Sequence, residues 1–121
     1  MKNIALFITL QLIIFSANAQ DNININFSND YKDIYHLSLI IYTPDGKIQT
    51  RVSNLNPDQI KSYSLPVNTE IFIADWKQEA FAMKGNDIKS TGVKPCIVLK
   101  GSDSQRVIML SSLLQNKKST L

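Results

Sequence analysis

The sequence predicts an all-β protein: a small antiparallel β-sandwich with an immunoglobulin-like arrangement. Three observations carry that expectation. Apolar and polar residues alternate with a period of two in several short runs, the signature of half-buried strands. Turn-forming clusters of Gly, Pro, Asn, Asp and Ser separate those runs at short intervals. Helix signals are scarce, with room for at most one short helix near 76–84.

Met1–Ala19 precedes the fold. Lys2 supplies a positive start, Ile4–Phe15 is apolar except for Thr9 and Gln11, and Ala17-Asn18-Ala19 has the small-residue form of a cleavage site. This reads as a secretory signal peptide cut after Ala19. The apolar run is short for a membrane span, so the processed chain is expected to be secreted or periplasmic and not an integral membrane protein. Residues 20–121 then form a single domain of a size that can hold a core without metal or disulfides. The chain has one cysteine, Cys96, so no intrachain bridge can form.

The first strand is Asn22–Phe27, where Ile23, Ile25 and Phe27 alternate with asparagines. Ser28-Asn29-Asp30 turns the chain. Ile34–Val52 is the strongest hairpin signal. Tyr35, Leu37, Leu39 and Ile41 share one face of the outgoing strand, and Ile48, Thr50 and Val52 alternate with Gln49 and Arg51 on the return. Between them Pro44 suits the second turn position, Asp45 the third, and Gly46 the left-handed position that rejoins the strands.

After a loop with Pro57-Asp58, Ile60–Leu65 reads as a strand ended by Pro66, which places it at an edge or terminus. Val67-Asn68 turns into Thr69–Ala74. Apolar residues on both faces of that strand imply neighbours on both sides. Asp75–Gly85 admits two readings. Asp75 with Gln78 fits a capping box and Gly85 a helix stop; the same residues also fit a turn and a strand from Ala80. The strand-rich context favours the hairpin. Cys96–Lys100 and Arg106–Leu110 are expected to pair across the turn at 101–104, both with buried faces. Ser111–Leu121 reads as a fraying tail.

The formal net charge is +3, with 13 Lys and Arg against 10 Asp and Glu. Basic residues gather in the second half but stand singly, as on solvated strand faces. Nucleic-acid binding is therefore not expected. Head-to-tail association, or pairing through edge strands, remains open.

Catalytic and metal sets are incomplete. A blue-copper site needs two histidines with a cysteine, and the chain has one histidine, His36, beside Cys96 and Met109. Zinc fails on the same shortage. No serine stands in a Gly-flanked elbow. Glu70 and Asp75, the best carboxylate pair, sit at odd spacing on a strand and face opposite ways. Cys96 lies in an apolar run and is expected to be buried. No cofactor is implied.

The reading that follows is a non-catalytic binding protein for an unknown protein or glycan. Trp76 and Lys77, with Tyr35, are the candidate binding residues, because an exposed aromatic ring serves as a platform for sugars or a partner. A carbohydrate- or cell-surface-binding accessory module is the alternative, and an enzyme or redox protein using His36 or Cys96 the third.

Overall fold

A computed structural model describes residues 22–113. The signal-peptide reading and the end of the tail lie outside the described residues. Among the described residues the chain is mostly β, with two sheets, one complete helix, short 3-10 turns and a helical start at 110–113. Seven strands form among the described residues: β1 (Asn22–Ser28), β2 (Tyr35–Tyr42), β3 (Ile48–Leu55), β4 (Ile60–Pro66), β5 (Glu70–Ile73), β6 (Ile97–Val98) and β7 (Arg106–Met109). One sheet has the order β4-β1-β7, the other β3-β2-β5-β6.

The alternation of β1 buries Ile23, Ile25 and Phe27 and leaves Asn22 and Asn24 exposed. The β2–β3 hairpin forms where the turn residues call for it. Gly46 takes φ 86° and donates to Thr43 O at 3.0 Å, and Thr43 N–H donates to Lys47 O at 3.0 Å. The register joins Tyr42 to Ile48 and Tyr35 to Leu55 without interruption. Ile23, Ile25, Phe27, Tyr63, Leu65 and Ile108 from the first sheet pack with Leu37, Leu39, Ile41, Ile71, Ile73 and Ile97 from the second in one buried cluster. That shared interior is the main hydrophobic core.

A second cluster lies on the outer side of the second sheet. Ile40 and Tyr42 of β2 and Phe72 of β5 are buried beneath Ile88, with Phe81, Ala82 and Val93 packed alongside. This is why β5 is apolar on both faces. The cover is a helix, α1 (Trp76–Met83), followed by a 3-10 turn, Ile88–Thr91.

Three expectations require correction. The hairpin favoured for Asp75–Gly85 is the helix instead. Asp75 Oδ1 accepts from Gln78 N–H at 2.8 Å, and Gln78 Oε1 accepts from Asp75 N–H at 2.9 Å, a complete capping box. Phe81 and Ala82 find an apolar sheet face to cover, which supplies what a two-turn helix lacks alone. Asp75→Ala removes the cap and is expected to lower stability by about 1 kcal/mol, read as a shift in the urea midpoint and a loss of helical circular dichroism.

β6 and β7 do not pair with each other. β6 joins β5, and β7 runs parallel to β1, with Ile25 opposite Arg106 and Ser28 opposite Met109. The first sheet is therefore mixed and not wholly antiparallel. The turn at Gly101–Asp103 carries the chain from one sheet to the other. Asp103 accepts from Lys100 N–H at 2.9 Å and from Arg106 Nη1 at 3.0 Å, and Gln105 N–H docks on Asn24 O at 2.8 Å. The outer faces of these strands stay bare: Val98, Val107 and Met109 are all exposed.

Cys96 is exposed, contrary to expectation. Ile97 and Leu99 point into the core, so period-two alternation turns Cys96 and Val98 outward.

Candidate functional site

The helix on the outer sheet face creates a recess. Asp75, Lys77, Gln78 and Phe81 form one wall, and Ile88, Thr91 and Val93 the other, around a groove of about 370 Å³. Its floor is apolar, because Phe81, Ile88 and Val93 belong to the second buried cluster. Its rim is polar. A recess of this size and mixed lining suits a small ligand or one or two side chains of a larger one.

The 3-10 wall is clamped to the sheet. Asp87 caps it by accepting from Lys89 N–H at 3.0 Å, and also accepts from the Tyr42 hydroxyl. That hydroxyl holds the Asp87 carboxyl below its ordinary range, while burial, then the Asp87 bond, raises the Tyr42 phenol. Lys89 Nζ lies 2.8 Å from Glu70 Oε1 and 4.5 Å from the centre of the Tyr42 ring. These ties leave the groove preformed.

Trp76 and Lys77 stand together at the start of α1. Trp76 is 73% exposed, and Lys77 Nζ lies 5.5 Å from its ring centre. Lys77 also lines the groove. Tyr35 is elsewhere. Its side chain is on the core side of β2, half-buried and stacked on Tyr31 at 5.6 Å, whereas α1 covers the opposite side. Burial raises the Tyr35 phenol, with Tyr31 and Cys96 adding to the effect. Phe81, Ile88, Thr91 and Val93 completed the groove without being singled out in the sequence. Asp87 and Gly92, cap and left-handed stop of the 3-10 turn, were the available signal.

His36 is fully engaged. Its Nδ1 lies 2.8 Å from Asn54 Oδ1 and its Nε2 3.0 Å from Glu79 Oε2. Both ring nitrogens face acceptors, which favours the doubly protonated ring and raises its pKa, first through Asn54 and then through Glu79. In its protonated form the ring donates from both nitrogens and keeps no free lone pair. Its role is to tie α1 to β2 and β3. Because the folded-state pKa is raised, this contribution is complete below the ordinary value of 6.5 and is lost as pH rises through the higher folded value. The side chain is 53% exposed, so solvent screening limits the effect to less than about 1 kcal/mol. Replacing it, His36→Gln, is expected to flatten the change in urea midpoint between about pH 6 and pH 8.

The carboxylates weighed for catalysis serve structural ends: Glu70 pairs with Lys89, and Asp75 caps α1. Among the described residues no three His, Cys, Asp or Glu side chains gather as a metal site, and no helix is long and apolar enough to cross a membrane. No protein-family description, curated protein or solved structure matches this chain.

Proposed function

We propose that the protein is an exported, non-catalytic binding module, a β-sandwich of immunoglobulin-like arrangement that binds its ligand at the groove between α1 and the 3-10 turn. The observation that carries this reading is the recess with an apolar floor and a polar rim, whose wall residue Lys77 is preceded in α1 by the exposed indole of Trp76. The fold assignment rests on two sheets sharing one core, with connections that cross between them. Export rests on the leader-like Met1–Ala19. The absence of a reaction rests on where the polar groups are spent: His36 on Asn54 and Glu79, Glu70 on Lys89, Asp75 on the helix cap.

A carbohydrate ligand is the second reading, and Trp76 favours it. A flat indole that is 73% exposed, with the Lys77 ammonium 5.5 Å from its centre, can stack on a sugar ring while the ammonium bonds to hydroxyls. Both readings are tested together by capture from cell-envelope extract and by a glycan panel, with wild type, Thr91→Arg and Trp76→Ala. Thr91→Arg fills the groove from its exposed rim and is expected to weaken binding at least about tenfold. Loss of a glycan signal on Trp76→Ala assigns the ligand as sugar. Unchanged binding in both variants removes the groove as the site.

A further inference from the structure

We infer that β3 is a self-recognition edge, through which two copies of this chain pair antiparallel about a two-fold axis at Thr50. This goes beyond the proposed function and uses a different surface. β3 is the outermost strand of the four-stranded sheet and spans Ile48–Leu55. An exposed strand edge offers unpaired N–H and C=O groups, and proteins usually blunt it with proline, lysine, a bulge or brevity. The other edges carry such devices. β4 ends in Pro66 and bears Lys61, β6 has two residues, and β7 has four. β3 has eight residues, no proline or lysine, and a one-to-one register with β2 that admits no bulge; its one charge, Arg51, is turned to the core side, 5.6 Å from the centre of the Tyr63 ring and away from the outer face.

The hydrogen-bond phase identifies the free groups. Thr43 N–H donates to Lys47 O at 3.0 Å, which sets the alternation of the antiparallel ladder. Residues 49, 51 and 53 therefore bond toward β2, and Ile48, Thr50 and Val52 present their main-chain groups to the open edge. Their side chains lie on the outer face, where Ile48 is 53% and Val52 38% exposed.

The segment Ile48-Gln49-Thr50-Arg51-Val52 is chemically self-complementary when reversed. With Thr50 opposite Thr50 of the second copy, Ile48 meets Val52, Gln49 meets Arg51, and each outward main-chain group meets an outward partner. About six main-chain hydrogen bonds form. No like charges face each other directly, since Arg51 lies opposite an amide that already lies 3.4 Å from the guanidinium within the chain. The four aliphatic side chains of the two copies meet in one stripe on the outer face. An edge of this length is at the small end of protein interfaces, so the dimer is expected to be concentration-dependent.

The test uses the protein purified from full-length expression, so that processing proceeds as in the cell. Sedimentation is expected to show a monomer–dimer equilibrium for wild type and monomer alone for Thr50→Pro. That proline removes an N–H aimed away from β2, leaving the hairpin ladder its bonds. A cysteine scan reads the register without a disruptive change. In a Cys96→Ser background, Thr50→Cys lies opposite itself at about 5.5 Å between Cα atoms, within disulfide range, whereas Gln49→Cys lies opposite Arg51. Mild oxidation is expected to cross-link Thr50→Cys at least about tenfold faster. Wild type that stays monomeric up to about 1 mM, or equal cross-linking of the two cysteines, overturns the proposal.

Discussion

Phe27→Ala is expected to cost about 3–5 kcal/mol, the range for deleting a fully buried aromatic ring. Phe27 has no exposed surface and lies on β1, the middle strand of the three-stranded sheet. Its register partners are Lys61 on β4 and Ile108 on β7, so both neighbouring strands lean on it. The Tyr63 ring meets it edge-on at 6.0 Å, and the Arg51 guanidinium lies 5.6 Å from the Tyr63 ring centre. Truncation therefore leaves a void and unseats the ring that connects β4 to β3. Domains of this size are stable by roughly 5–15 kcal/mol, so the variant is expected to lie near its folding threshold. The thermal midpoint should fall by roughly 15–30 °C. Trp76→Ala is the matched control: it removes a larger ring from an exposed position and should shift stability by less than about 0.5 kcal/mol. Equal shifts in the two variants would show that the core lies elsewhere.

What was legible in the sequence was whatever a short window decides. The β2–β3 hairpin needs neighbouring alternation and a Pro44-Asp45-Gly46 turn, and both are local. The strand Thr69–Ala74 announced cover on both faces through Ile71, Phe72 and Ile73, and found it. Pairing of β7 with β1 was illegible because it joins Ile25 to Arg106 across most of the fold. No local feature distinguishes a strand that returns along its neighbour from one that crosses to the other sheet. The helix was the reverse case. Its capping box is visible, but strand-rich surroundings argue against a helix, and the deciding fact is an apolar sheet patch at Ile40, Tyr42 and Phe72 that needs a cover. Cys96 failed on phase: an apolar run says that a strand is covered, while alternation says which residues are. Half of the candidate site followed the same division. Trp76 and Lys77 could be picked out as residues, but the groove beside them exists only because the 3-10 turn folds against α1.

Asn29→Asp, a near-isosteric change, is expected to destabilise by about 3–5 kcal/mol at about pH 7, more than Asn29→Ala at about 2–4 kcal/mol. Asn29 reads in the sequence as one residue of a turn, yet it is completely buried. Its Nδ2 donates to Asp33 O and to Leu55 O, each at 2.9 Å, and its Oδ1 accepts from Tyr31 N–H at 3.0 Å. Its main chain donates to Gln59 O at 3.0 Å and accepts from Asp58 N–H at 2.7 Å. One side chain thus fastens the β1–β2 loop to the end of β3, and its main chain fastens the same point to the β3–β4 turn. Alanine removes three bonds and strands their partners. Aspartate keeps the shape but replaces two donors with an oxygen aimed at two carbonyls, a buried charge without a counterion. The folded state then favours the protonated acid, so the carboxyl titrates above its unfolded value of about 3.9. A raised acid pKa means that the folded state binds the extra proton, and stability falls as pH rises through that range. Acidification should therefore restore part of the loss in Asn29→Asp and none in Asn29→Ala. Urea midpoints for both variants at about pH 4 and pH 7 read the difference directly. Equal stability of wild type and Asn29→Asp at the higher pH would mean that the amide is not the donor to Asp33 and Leu55, and that the two loops are held by their main chains alone.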